Sequence, residues 1–149
     1  MSVAAGVEVA LRGLVRRLLG DGEEADQALA DGALVLNDCT VVVRRNAAND
    51  YIEFFCDIGL PTGHEREAAY RVALEMNLCR TYPGITLGVH PDSGRLVATI
   101  AVHGLMLPDE DAYLQALELL TLQVLEMRDS QLLPLAPALS QSCSQEPAR

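Results

Sequence analysis

Lysine is absent from this chain of 149 residues: all eleven basic residues are arginine, set against 21 aspartates and glutamates, for a formal net charge of −10. A field of that sign repels nucleic acid and anionic membranes, so neither is an expected partner. No uncharged apolar stretch reaches the ~18 residues that a membrane span needs. Met1 to Gly6 sets no basic region ahead of an apolar run, as a secretory signal would. The expectation is a cytoplasmic protein. The four cysteines, Cys39, Cys56, Cys79 and Cys143, are widely separated and form no CxxC pair, which argues against a disulfide framework and a zinc site. There is no GxGxxG, P-loop or GxSxG. His64, His90 and His103 are scattered, with no ligand or triad partner at a recognisable spacing. Folding could still join Asp57 to His64, or Cys79 to His90, which leaves a thiol hydrolase as the one enzymatic alternative to a non-enzyme.

What is present is apolar material: 50% of the residues are hydrophobic, enough for one domain with a real core. The stretch Glu65 to Val102 organises the rest. It reads as a helix followed by two antiparallel strands. On the helix, Ala69, Val72, Ala73 and Met76 form one apolar stripe at i, i+3, i+4, i+7. Tyr70, Leu74 and Leu78 form a second, about 100° or more away at 3.6 residues per turn, with Arg66 and Asn77 between them. One stripe can lie on a sheet. The second needs another cover, either inside the monomer or across a two-fold dimer, the commonest soluble symmetry.

Taken in order, Val7 to Leu19 is a helix with Val7, Leu11, Leu14, Val15 and Leu18 on one face and Glu8, Arg12 and Arg16 on the other. Gly20 to Gly32 is acidic and reads as a surface connection, with room for a short helical turn near Ala25 to Leu29. Ala33 to Leu36 and Thr40 to Arg45 are strands joined by the turn residues Asn37 and Asp38. After a turn at Asn46 to Asp50, the strand Tyr51 to Ile58 puts Ile52, Phe54, Cys56 and Ile58 on one face. Cys56 is then a small core residue. Ile85, Leu87 and Val89 alternate in the strand after the central helix, and Pro91 to Gly94 closes a hairpin onto Leu96, Ala98, Ile100 and Val102. Leu107-Pro108 ends the sheet region, and Asp109, Glu110 and Asp111 begin a helix. It runs to about Arg128, with Tyr113, Leu117, Leu120, Val124 and Met127 buried and Leu119 and Leu122 facing outward. The expected fold class is α+β: helix, three strands, helix, two strands, helix, around a twisted, mainly antiparallel five-stranded sheet, in a homodimer. Residues 1–129 form the domain. Residues 130–149 form a tail rich in Pro, Ser and Gln, disordered from Ser140 onward, in which Leu132, Leu133 and Leu135 are able to dock.

Three sequence pieces, in this order, carry a family resemblance. They are the strand exit Asp57-Ile58-Gly59-Leu60-Pro61, the helix end Glu75-Met76-Asn77-Leu78, and Gly84-Ile85-Thr86-Leu87-Gly88-Val89-His90 followed by Asp92-Ser93-Gly94-Arg95-Leu96. From Val7 to about Arg128 the chain resembles the class I type III secretion chaperones, the group typified by the chaperone of the translocated intimin receptor. The resemblance implies a homodimer that binds the N-terminal segment of a secreted effector in extended form, with no cofactor, ATP or metal. It implies a dimer interface on the central helix and the strand after it, with Leu74, Leu78, Leu87 and Val89 as candidates. Candidate effector contacts are Leu11, Leu14 and Leu18 on the first helix and Leu34, Leu36, Val41 and Val43 on the first two strands; the sequence does not say which of them face the core. The alternative is an adaptor or regulatory domain of the same fold that binds folded partners outside secretion.

Overall fold

The computed structural model describes residues 3–46, 51–103, 110–130 and 132–136. The expected turn at 47–50, the Leu107-Pro108 sheet end, Asp109 and the tail from 137 onward lie outside the described residues. The elements run α1 (Val3–Leu19), α2 (Glu23–Asp31), β1 (Ala33–Leu36), β2 (Cys39–Asn46), β3 (Tyr51–Gly59), a 3-10 turn (Gly63–Glu65), α3 (Arg66–Cys79), β4 (Ile85–Val89), β5 (Leu96–His103) and α4 (Glu110–Asp129). The five strands form one antiparallel sheet in the order β1-β2-β3-β5-β4. This is the expected α+β architecture with one correction. The acidic connection is a full helix, α2, because Glu23, Glu24 and Asp26 occupy its first turn and Gly32 closes it in the left-handed region at φ 64°. Negative charge at the N-terminus and glycine at the C-terminus are what a helix favours.

Short connections fix the sheet. Asn37 and Asp38 both take positive φ, 51° and 58°, as a two-residue hairpin turn of type I′ requires. The turn is anchored to α4, where the Asn37 amide donates to Thr121 Oγ1 at 3.0 Å. One face of the sheet carries Leu34, Val41, Phe54, Cys56, Ile85, Leu87, Leu96 and Ala98, all buried. α4 lies across this face over β3 and β5, α1 packs on α4, and α3 packs along β4. Phe54 meets Tyr113 of α4 edge to face, 6.2 Å between ring centroids. At the far end of α4, the Arg128 guanidinium donates from Nε to the Ile58 carbonyl at 3.0 Å and from Nη2 to the Asp57 carbonyl. It thereby ties the helix to the irregular end of β3, where the register shifts between Asp57 and Gly59.

Residues 132–136 run beside the exit from β3. The Thr62 amide donates to the Pro134 carbonyl at 3.0 Å and the Ala136 amide to the Leu60 carbonyl at 2.8 Å. Leu133 is buried and Leu132 exposed. Leu135 lies 3.4 Å from where a Cβ on Gly59 would stand, and Gly59 has φ +151°, so a side chain at 59 would be strained there.

Candidate functional site: the apolar surfaces left uncovered

The two stripes read on α3 have different fates. Ala69, Ala73 and Met76 are buried and Val72 is half-buried. On the second stripe Leu74 is 67% exposed and Leu78 85% exposed. Tyr70, the third member, turns its hydroxyl back and donates to the Gly94 carbonyl at 2.7 Å, pinning the β4–β5 loop. Gly94 has φ +73°, where a side chain is strained, and an added Cβ would stand 3.0 Å from the Tyr70 hydroxyl, which would have to shift. Val89 at the end of β4 is also exposed. Leu87 is not. It pairs with Ala98, and both point into the core, so its burial removes it from the expected interface set.

Asn77, between the two stripes, is a residue that sequence reasoning left without a role. Its amide nitrogen donates to the Leu87 carbonyl and its Oδ1 accepts from the Leu87 amide, both at 2.8 Å. The side chain thus binds the backbone of β4 as a neighbouring strand would.

The candidates for guest binding divide in the same way. Leu14, Leu34 and Val41 are core residues, which corrects their assignment to a docking surface: each sits on the side of its element that faces α4 or the inner sheet. Leu11, Leu18, Leu36 and Val43 are half-buried at the rim of the core. Val9 on α1 and Val35 on β1, neither of them a candidate from sequence, are exposed at 66% and 58%. Alternation along Ala33 to Leu36 was the signal that could have found Val35, since it must face opposite Leu34.

No described helix packs on the other face of the sheet. There Val42, Phe55, Val97 and Thr99 line an open groove of ≈ 590 Å³. Arg44 spans Phe55 with its guanidinium 5.1 Å from the ring centroid and reaches Glu53 at 2.9 Å. Arg95 forks onto Asp57 at 2.8 and 2.6 Å, so the Asp57 carboxylate is already engaged. His90 Nδ1 accepts from the Asp92 amide at 3.3 Å within its turn. Cys39 and Cys56 are buried and Cys79 is exposed. Burial, and then the neighbouring Cys39 thiol, push the Cys56 thiol up to about 12, the opposite of what a nucleophilic thiol needs.

Among the described residues no helix is long and apolar enough to cross a membrane. No family model matches this chain, and no curated protein matches it by sequence. Solved structures do match its fold. A chain in the crystal structure of the ExsC–ExsE complex superposes with a TM-score of 0.67 at 16% identity, covering 91% of this chain and 99% of that one. A chain of the HopA1–SchA chaperone–effector complex gives 0.61 at 12% identity, over 87% and 98%. A chain of the heterodimeric ExoU–SpcU complex from the type III secretion system of Pseudomonas aeruginosa gives 0.51 at 20% identity, over 68% and 80%. The helix-flanked five-stranded sheet is therefore a fold shared with a chain of a chaperone–effector complex and with a chain of a type III secretion system complex.

Proposed function

We propose that this protein is a homodimeric cytoplasmic chaperone that holds the N-terminal segment of a type III secretion effector in extended form. The observation that carries the proposal is the pairing of that fold with large apolar side chains left outside it, Leu74 and Leu78 above all. In the proposed dimer Leu74, Leu78 and Val89 meet their symmetry mates. The effector runs over Leu11, Leu18, Leu36 and Val43, with Val9 and Val35 beside them.

The physical task is to keep a chain unfolded without letting it aggregate. A segment destined for a narrow channel exposes apolar side chains that would otherwise associate. Apolar rims cover those side chains, and a free strand edge supplies backbone hydrogen bonds whatever the guest's sequence. Ordering an extended guest is entropically costly, so the contact has to be long. The net charge of −10 keeps such a surface soluble.

Co-expression with the neighbouring reading frames tests the reading. The expected result is co-purification of a protein whose N-terminal segment is cut by protease when free and protected when bound. Capture of folded, intact domains alone would instead make the chain an adaptor.

A further inference from the structure

We infer that Asn77 decides which edge of the sheet a guest strand can use: it closes β4 and leaves β1 as the open edge. The inference rests on the proposed function for the existence of a guest and adds where the guest's backbone binds.

The sheet has two edges, β1 and β4. In an antiparallel pair, alternate residues turn their N–H and C=O toward the partner strand and the others turn them away. For β4 the His90 amide donates to the Arg95 carbonyl at 2.8 Å. In the register that pairs Gly88 with Val97 and Thr86 with Thr99, these residues therefore face β5, and Ile85, Leu87 and Val89 face outward. The outward groups are largely taken. The Ile85 amide donates to the Tyr82 carbonyl at 3.1 Å, and Asn77 occupies both backbone groups of Leu87. What remains, the Ile85 carbonyl and Val89, is too little to nucleate a pairing.

For β1 the same reasoning gives the opposite result. The Val43 amide donates to the Gly32 carbonyl at 2.7 Å. In the register Leu34 with Val41 and Leu36 with Cys39, the even-numbered residues face β2, and Ala33 and Val35 present their N–H and C=O to the outside. Val35 is exposed in side chain as well. Asp31 and Asp38, both exposed, bracket the strand in sequence. The segment that fits is extended, with apolar residues alternating with arginine or lysine. Edges left in this state are normally blunted; here one is blunted and one is not.

The experiment uses the full chain and a capped ten-residue peptide of alternating valine and arginine, read by backbone amide hydrogen exchange. Without peptide, the Leu87 amide exchanges at least tenfold more slowly than the Val35 amide. Asn77→Ala speeds Leu87 at least tenfold while leaving Ile100 unchanged. The peptide slows Val35 at least fivefold in the wild type and not Leu87, and in Asn77→Ala it protects Leu87 as well. Val35→Pro abolishes binding, because it removes an outward N–H that the sheet itself does not use, whereas Val35→Thr binds normally. If Val35→Pro fails to fold by circular dichroism, the Val35 footprint in the wild type and Val35→Thr decides. Protection of Leu87 in the wild type, a slow Leu87 amide in Asn77→Ala, or unchanged binding by folded Val35→Pro would each overturn the inference. So would protection at neither edge. None of these results touches the proposed function, which fails separately if no co-expressed secreted segment is held.

Discussion

Helices α3 and α4 are both apolar on more than one side, yet they divide their large side chains differently. α4 buries most of its large residues, with Tyr113, Leu117, Leu120, Val124 and Met127 at most 1% exposed, and turns only Leu119 and Leu122 outward, 41% and 55% exposed. α3 buries two alanines and a methionine and turns Leu74 and Leu78 to solvent. A helix serving only its own core would do the reverse, since burying a leucine is worth roughly 1.5–3 kcal/mol relative to leaving it exposed. The small residues let α3 approach β4 closely enough for Asn77 to reach its backbone. The same arrangement turns both leucines away from the core of the described fold. α4 therefore spends most of its large side chains on the core, whereas α3 leaves its two leucines outside it.

The comparison breaks most visibly in α4. Leu120→Ala should destabilise the chain by about 2–5 kcal/mol, the usual range for a fully buried leucine, measured by urea unfolding. Leu78→Ala should change the stability of the isolated fold by no more than ~0.5 kcal/mol. If the two substitutions cost the same, the division between the helices is wrong. Next in size is Leu78→Asp. Under the proposed dimer it places an unpaired charge in a buried seam, which should weaken association by about 2 kcal/mol or more. Light scattering should then fall from twice the 16.1 kDa chain mass to one chain mass. A dimer that survives the substitution moves the interface off α3.

Much of this division is legible in the sequence. The two stripes of α3 follow from spacing alone, and so do the inward set of α4 and the alternation of β3. Periodicity does not say which stripe faces home. Leu87 illustrates the limit: as one member of an alternating strand it could have lined a seam, and only its pairing with Ala98 puts it inside. Leu14, Leu34 and Val41 were ambiguous for the same reason. α2 was hidden by composition, because acidic residues read as solvated loop until Gly32 is seen closing a helix. Asn77 was invisible because its bonds to Leu87 span ten residues, a distance set by the turn after α3 rather than by any local pattern.

A third test bears on the α4 side alone. Cys56 is raised from 9.0 to about 12 in the fold, chiefly by burial and then by Cys39, and burial raises Tyr113 above its ordinary 10.0. The unfolded chain loses these protons first, so the folded state binds more protons in that range. Stability is therefore full below about pH 9 and falls as pH rises toward 12, with Cys56 contributing a slope of up to about 1.4 kcal/mol per pH unit. Denaturation midpoints between pH 8 and 10.5 should show the decline. Cys56→Ala should start lower and decline less steeply. Leu78→Ala removes no titrating group, so it should leave the slope unchanged.

The smallest effect concerns one of the polar side chains that fasten each helix. α3 uses Asn77 on β4, and α4 uses Thr121, the one buried polar residue of its inner face. The Thr121 hydroxyl donates to the Leu117 carbonyl at 2.9 Å and accepts from the Asn37 amide at 3.0 Å. Thr121→Val keeps the shape and removes the acceptor for Asn37. Because Asn37 is exposed, water can replace the lost partner, and the loss should stay at about 0.5–1 kcal/mol. It should appear as faster amide exchange in the β1–β2 turn, with oligomeric mass unchanged. Asn77→Ala, by contrast, uncovers backbone groups at a sheet edge and so alters what the molecule can pair with. If Thr121→Val also changed association, the fastening of α4 would belong to the partner surface after all, and the separation between the two helices would be lost.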